Sequence, residues 1–347
     1  MKTTILTASD IKKIVDIIGI DRLMCNLIEA LEAAFIAYDP NITEVPMRTG
    51  FTYDQPHNGL LEWMPLITHG YSATIKVVGY HPNNPRVHEI PTITSNISVY
   101  DISNGHLLGL MDGTFLTALR TGATSAVASR ILASPQSKVV GIIGAGAQAV
   151  TQLHALSTQF NVERVLVCDV INMAATTFSQ RTAFMNLPIE VVPSDERSRV
   201  VAEADILVTA TSNDIGSGPV FEDTETKPWL HINAVGADFP GKIEVPYNLL
   251  RRAFVCPDFM AQAEREGECQ QLESDEVGPQ LYELARNPAL YRAYQNKLTV
   301  FDSTGWAVED AVAAQMMLDI AREYGIGQKV AIENLPHDPL NPYDFAS

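Results

Sequence analysis

The sequence predicts an α/β protein of two domains, one a parallel sheet covered by helices on both faces, the other built on an antiparallel or mixed sheet. Three observations carry this reading. The chain has 347 residues, and domains average roughly 150. From residue 138 onward, short apolar runs alternate with helical patterns, as in strands joined by crossover helices. Before residue 114 the apolar runs are separated by Asn-Gly and Asn-Asn-Pro turn signals, which favour hairpins.

The elements follow in order. Ser9-Asp10 precede a periodic run through Ile11, Ile14, Ile17 and Ile18 that predicts the first helix. A second helical pattern covers residues 22–38, and Pro40 and Pro46 then break the chain. Alternating segments at 60–64, 73–78, 92–100 and 107–111 read as strands. An Ala-rich helix at 115–132, with small residues on one side, ends before Pro135. Strands at 138–144, 162–169, 189–192, 205–211 and 231–235 then alternate with helices at 148–160 and 173–185. A strand at 298–302, a helix at 307–324 and a polar Pro-rich tail close the chain. With the last helix returned to the first domain, the expected division is 1–128 with 316–347, and 129–315.

Composition narrows the function. Asp and Glu number 41 against 24 Lys and Arg, a net charge of −17 with no long basic tract. Such a field repels polyphosphate backbones and argues against nucleic-acid binding. Cys25, Cys168, Cys256 and Cys269 form no CxxC pair, which speaks against a disulfide framework or zinc site and suits a reducing cytoplasm. The eight histidines show no HxH or HxxxH spacing, so no metal is expected. No secretory signal and no 18-residue apolar run is present, so no membrane association is expected.

Gly144-Ala-Gly146-Ala147-Gln148-Ala149 directly follows an apolar strand and opens a helix. The first Gly permits a tight turn, the second lets backbone approach a pyrophosphate, and small Ala149 lets helix and strand pack. Asp169 ends the next strand, placed to bond ribose hydroxyls and to repel a 2′-phosphate. No Arg or Lys stands among Val170, Ile171 and Asn172. The context predicts a dinucleotide site that prefers NAD to NADP.

Three cations stand apart. Lys76 and Arg120 interrupt apolar segments, and Arg48 follows Pro46. Each alone reads as a surface charge with a snorkelling stem. Together, in so acidic a chain, they fit a receptor for a substrate carboxylate. Asp238, in Asn233-Ala234-Val235-Gly-Ala-Asp238-Phe-Pro-Gly-Lys242-Ile-Glu244, is either a turn residue or an acid–base group at a strand's carboxyl end. Glu62, in Leu-Leu-Glu-Trp-Met-Pro, is either an edge-strand residue or a partner for a substrate ammonium.

At these residues the sequence resembles the ornithine cyclodeaminase/mu-crystallin family over nearly its whole length, and within it the ornithine and lysine cyclodeaminases. The matching segments are Glu62-Trp-Met-Pro, Lys76-Val-Val-Gly-Tyr-His-Pro-Asn-Asn-Pro, Leu119-Arg-Thr-Gly-Ala-Thr-Ser, Gly144-Ala-Gly-Ala-Gln, His231-Ile-Asn-Ala-Val-Gly-Ala-Asp, Glu266-Gly-Glu-Cys-Gln-Gln-Leu and Val300-Phe-Asp-Ser-Thr-Gly. The resemblance implies a homodimer whose subunit joins an α+β substrate-binding and dimerisation domain to a doubly wound Rossmann domain. It implies that Arg48, Lys76 and Arg120 hold the substrate carboxylate, that Thr304 contacts substrate, and that Asp238 donates and accepts protons. It further implies NAD contacts from Thr92, Arg120, Ala147, Gln148, Asp169, Thr211, Asn233, Ala234, Val235, Lys242 and Ser303, beside Gly144 and Gly146. Glu62 matches the cyclodeaminases' acidic position, which mu-crystallin-like members lack. Gly79-Tyr80 and Ser95-Asn96 look like lysine cyclodeaminase, whereas Phe239-Pro240-Gly241 resembles the ornithine enzymes.

The implied reaction oxidises an L-diamino acid at Cα, closes the ring through the terminal amine with loss of ammonia, and reduces the cyclic imine to proline or pipecolate. Net redox is zero, so NAD acts catalytically. Two other classes share the fold: an NAD(P)-dependent amino-acid dehydrogenase or ketimine reductase, and a mu-crystallin-like protein that binds nucleotide and a small ligand. Glu62 together with Asp238 argues against both.

Overall fold

The computed structural model describes residues 1–344; the end of the expected tail, 345–347, lies outside the described residues. The chain divides into two compact units, Met1–Ile20 with Asp39–Thr117 and the chain from Asp310, and Asp21–Tyr38 with Ala118–Glu309. The expected cuts at 128/129 and 315/316 therefore fall at 117/118 and 309/310, and the second helical segment goes to the second unit. Aromatic packing explains that last difference. The Phe35 ring stacks on Trp306 at 5.9 Å, and Tyr38 meets Trp306 edge-on at 4.7 Å. Arg286 also donates to the carbonyl oxygens of Ile36 and Tyr38.

The first unit is built on a sheet of β1 (Thr3–Leu6), β2 (Thr43–Glu44), β3 (Thr49–Tyr53), β4 (Gly59–Thr68), β5 (Ser72–Tyr80), β6 (Ile93–Asp101) and β7 (Leu107–Asp112), together with Gln328–Val330. Its order is Gln328–Val330, β1, β7, β6, β5, β4, β2, with β3 also pairing β4. The β1–β7 pair is parallel and the others antiparallel, so the sheet is mixed. Burial alternates along β4 and β5, as the two-residue period of a strand requires. Met64, Leu66, Lys76 and Val78 are buried on one face, while Trp63, Pro65, Ile75 and Val77 stay half-buried on the other. The first helix, Ala8–Ile18, begins in a capping box: Asp10 N–H donates to Thr7 Oγ1 at 3.3 Å, and Thr7 N–H to Asp10 Oδ2 at 3.1 Å.

The second unit holds a parallel sheet of β8 (Val139–Ile143), β9 (Arg164–Cys168), β10 (Ile189–Val191), β11 (Ile206–Thr209), β12 (His231–Ala234), β13 (Phe254–Pro257) and β14 (Thr299–Asp302). The order is β10, β9, β8, β11, β12, β14, β13. The chain enters at β8, winds out to β10, then returns to β8's other side with β11. That reversal is a topological switch point, outside which dinucleotides bind at the strands' carboxyl ends. Both faces are covered, which is why the strands read as continuous apolar runs. Val165, Val167, Ile206 and Val208 pack into one core with Leu153 and Phe178. Leu166, Leu207 and Ile232, pointing the other way, pack into a second core with Leu249 and Leu250.

One expected element is broken. The helix expected at 173–185 consists of Asn172–Thr176, Phe178–Arg181 and a 3-10 turn at Ala183–Met185. Thr177 and Thr182 hydroxyls donate to the carbonyls of Met173 and Phe178, at 2.7 and 2.8 Å. Such back-bonding by β-branched residues weakens a helix. The small residues of the helix Thr114–Leu132 have a packing cause. A Cβ on Gly122 would lie 2.7 Å from the Thr151 carbonyl carbon, so only Gly allows the helix Ala147–Gln159 so near.

Candidate active site

Strand register gathers most of the expected cofactor residues at one edge of the parallel sheet. Cys168, Ile143, Thr209, Ala234 and Asp302 stand in line across β9, β8, β11, β12 and β14. The residues that follow, Asp169, Gly144, Val235 and Ser303, therefore emerge together, with Thr211 two past the end of β11. Gly144 has φ +94°, and a Cβ there would meet the Ala210 carbonyl oxygen at 2.7 Å. Gly146 caps the helix Ala147–Gln159 with no side-chain bond to its first amides, and a Cβ there would meet nothing within 4 Å. The helix start thus combines open space with amides left for an anion. Ala147 and Gln148 form its first two residues. Ser303, just past the end of β14, has its Oγ buried without a hydrogen-bond partner. Glycine cradle, uncapped amides and orphaned hydroxyl fit a bound dinucleotide.

Asp169 is fixed in place. Its Oδ2 accepts Ala145 N–H and its Oδ1 accepts Ile171 N–H, both at 2.7 Å. A recess of about 260 Å³ lies beside it, lined by Val170, Asn172, Ala175 and residues 191–195. Arg181 lies well beyond Val170, Ile171 and Asn172 in sequence, and only the fold brings its charge within reach of Asp169. Burial lowers Arg181's proton affinity, and the field of Asp169 opposes that. Asp169→Ala should accordingly narrow the preference for NAD⁺ over NADP⁺, because it removes the repulsion and leaves Arg181 for a 2′-phosphate. An unchanged ratio of kcat/KM for the two cofactors would overturn the assignment.

Asp238 follows β12 and is paired with Lys242, whose Nζ donates to Asp238 Oδ1 at 2.7 Å. The Asp238 side chain remains 35% exposed while that of Lys242 is buried at 6%. The carboxylate is thus held by a buried cation across the Pro240-Gly241 turn and still reaches solvent. Asn233 is turned to the helix Thr114–Leu132, its Nδ2 donating to Ser129 Oγ at 3.0 Å. Ala234 accepts Ser303 N–H at 2.9 Å, part of the ladder that aligns the edge.

Arg120 lies on Thr114–Leu132, buried, with Nη1 donating to Glu309 Oε2 at 2.7 Å. Gly305, at φ +88°, comes so near that a Cβ would sit 2.8 Å from the guanidinium. Thr304 Oγ1 donates to Asp258 at 2.9 Å and accepts Gln262 Nε2 at 3.0 Å. Its hydroxyl is thus already engaged within the unit.

In the first unit, Lys76 on β5 is 1% exposed and bonds Asp310 at 2.7 and 2.9 Å. Arg48 Nε lies 3.9 Å from Glu62 Oε2, an ion pair longer than a hydrogen bond. Met64 stands opposite Lys76, and Glu62 opposite Val78, so Glu62 and Lys76 share one sheet face two residues out of register. Thr92, just before β6, accepts His81 N–H on its carbonyl at 2.8 Å. None of the three cations that stand apart in the sequence is a lone surface charge in the fold. Lys76 and Arg120 are buried and Arg48 is half-buried, and each is paired with an acid, since an unpaired charge taken from water is costly. Glu309 and Asp310 were missed, although two adjacent acids inside an apolar helical run were a visible signal.

Asp302 closes β14 just before Ser303. It is fully buried, and burial raises its pKa to about 7, against backbone hydrogen bonds from Cys269 and Glu268 that lower it. Between its ordinary value of 3.8 and about 7 the folded state holds a proton that the unfolded state lacks. Its contribution to stability is thus present at low pH and lost as pH rises through that window. Asp302→Asn keeps an acceptor for Cys269 N–H, so the variant should gain on wild type by about 2–4 kcal/mol between pH 5 and pH 8. Parallel unfolding free energies at the two pH values would exclude this. His231, buried and neutral with its pKa lowered to about 3 by burial, acts oppositely and is present in both proteins.

No helix among the described residues is long and apolar enough to cross a membrane. The family model described as the ornithine cyclodeaminase/mu-crystallin family matches residues 7–325. The chain is 42% identical over 346 residues to the L-lysine cyclodeaminase of Streptomyces rapamycinicus, covering 99% of this chain and 100% of that one. A lysine cyclodeaminase structure concerned with recognition of L-lysine, L-ornithine and L-2,4-diaminobutyric acid superposes with a TM-score of 0.96, at 46% identity and full coverage of both chains. An archaeal alanine dehydrogenase dimer with bound NAD gives a TM-score of 0.84 at 30% identity, covering 96% of this chain and 100% of that one.

Proposed function

The chain belongs to the ornithine cyclodeaminase/mu-crystallin family, and from that membership we propose that it is an NAD-dependent cyclodeaminase. It converts a linear L-diamino acid, L-lysine to L-pipecolate or L-ornithine to L-proline, with release of ammonia. The observation that carries this reading is Glu62 beside Arg48, on the sheet face that also bears Lys76. A diamino acid presents one carboxylate and a second, terminal ammonium, and this face offers partners of both signs.

Bound NAD supplies the acceptor, and later the donor, of the Cα hydride. Arg48, Lys76 and Arg120 orient the substrate carboxylate, with Thr304 as a further contact. Arg48 then exchanges its long pairing with Glu62 for the carboxylate, which frees Glu62 for the terminal ammonium. That amine attacks carbon only after losing a proton. Asp238, seated by Lys242 and open to solvent, is the group that accepts it and later protonates the departing ammonia. The dinucleotide is held by Gly144, Gly146, Ala147, Gln148, Asp169 and Thr211, with Thr92, Asn233, Ala234, Val235, Lys242 and Ser303.

The half-buried apolar face of the first sheet, with Trp63 opposite Val77 and Pro65 opposite Ile75, supports a homodimer formed there. Light scattering would read twice the chain mass. To test the reaction, the protein is given a small amount of NAD⁺ with lysine, ornithine or 2,4-diaminobutyrate, and ammonia, cyclic product and NADH are followed. Many turnovers of ammonia and cyclic amino acid without net NADH are expected. Ammonia matched one-to-one by NADH would make the protein a dehydrogenase, as in its alanine dehydrogenase relative. Nucleotide binding without turnover would make it a binder.

A further inference from the structure

The segment after β12 carries an acid that the proposed chemistry does not use. Glu244 is fully buried. Its Oε1 accepts both Thr211 N–H at 2.7 Å and Thr211 Oγ1–H at 2.6 Å, and its Oε2 accepts Gly236 N–H at 2.7 Å. Thr211 lies just past β11 and Gly236 just past β12, so one carboxylate joins the loops of two adjacent strand ends. Gly236 is glycine for the same reason: a Cβ there would overlap the Glu244 carboxylate.

The acid is itself seated. Glu244 N–H donates to Glu268 Oε1 at 2.7 Å and Val245 N–H to Glu268 Oε2 at 3.1 Å. The Glu244 carbonyl accepts Val220 N–H at 2.9 Å. Nearby, Gln270 accepts Gly241 N–H at 2.7 Å and donates to the Lys242 carbonyl at 2.9 Å. The loop from 236 to 244 is therefore pinned at both ends, and Asp238 lies two residues beyond the pinned amide.

We infer that Glu244 is a positioning residue that clamps the two loops carrying Thr211 and Asp238, setting the cofactor contact and the proton-transfer group in one geometry. The inference rests on the roles proposed above for those two residues. A carboxylate suits the task because it accepts three donors at once, which no neutral side chain of its size does. Gln offers one oxygen, and its NH₂ would face an N–H donor, so at least one loop must come free.

Two variants and three readouts test this. In Glu244→Gln, hydrogen exchange of the 235–243 backbone in the cofactor-free protein should rise by about tenfold, as for a lost buried bond, with exchange in β8 and β9 unchanged. NAD affinity by fluorescence titration should weaken by about tenfold, and kcat should fall by a similar factor. Gly236→Ala, which intrudes on the same carboxylate, should reproduce all three effects, and the double variant should be no worse than the worse single. The Gly236→Ala arm keeps the test alive should Glu244→Gln fail to fold. Exchange and NAD affinity within twofold of wild type in a folded variant would overturn the clamp. So would exchange that rises evenly over the whole second unit, which marks a merely structural acid. Exchange and NAD binding do not depend on the substrate. The clamp can therefore stand when no diamino acid is cyclised, and fail when one is.

Discussion

Asp238→Asn should lower kcat by about 10²-fold or more while NAD affinity stays within about twofold of wild type. The substitution preserves shape, and its amide oxygen can still accept the bond that Lys242 Nζ makes at 2.7 Å. What it removes is a group able to take and return a proton. The reaction needs such a group more than once, since the terminal amine must be unprotonated to attack and the departing nitrogen must leave as ammonia. The position supports the role. A carboxylate held by a buried lysine, yet 35% exposed, keeps its orientation and exchanges protons with water between turnovers. A variant retaining more than about a tenth of the wild-type rate would remove Asp238 from proton transfer, against the loss expected of an acid–base group. Cofactor affinity is the control here. A loss of NAD binding in parallel with kcat would show that the Asp238–Lys242 pair builds the loop rather than reacts.

The second large effect concerns Glu62 and is one of selectivity. Glu62→Gln should reduce kcat/KM for lysine or ornithine by roughly 10–100-fold, the scale of a charge-assisted hydrogen bond. Oxidation of a monoamino acid such as norvaline should change far less. Glu62 is half-buried on β4 and shares a face with Lys76, so an ammonium brought there without its carboxylate would be poorly solvated. NADH should also accumulate transiently in the variant, because oxidation continues while ring closure stalls. The 3.9 Å pairing with Arg48 adds a check. Losing Glu62's charge leaves Arg48 without that pairing, so affinity for the carboxylate of a monoamino acid should hold or improve. Equal losses on both substrate types, with no NADH transient, would make Glu62 a support for Arg48 and shift weight to a simple dehydrogenase.

How far the site was legible differs between its two halves. At the parallel sheet almost every signal was local. Gly144 announced the turn because a left-handed φ and close backbone leave only glycine there, Gly146 followed from its spacing at the helix start, and Asp169 was found by counting to the end of the next strand. In the first unit the residues were visible and their circumstances were not. Lys76 stood out as a cation in an apolar strand, but its partner Asp310 is 234 positions away. β1 was passed over because Thr3-Thr4-Ile5-Leu6 has too few residues to show a period. It becomes a strand by pairing with β7 and with Gln328–Val330. β13 was missed for a related reason: it lies at the edge of its sheet and ends in Pro257, where strand preference is weak.

The α/β class, the alternation of strand and helix, the glycine turn and the acid after β9 could all be read along the chain. Hydrophobic period and turn chemistry are properties of neighbours. The pairing of Arg48 with Glu62 and Lys76 with Asp310 in one unit, Arg120 with Glu309 in the other, and Glu244's hold on two loops were decided by folding. A buried charge is stable only where a partner lies within a few ångströms, and the packing of strands, helices and loops, not sequence distance, chooses that partner.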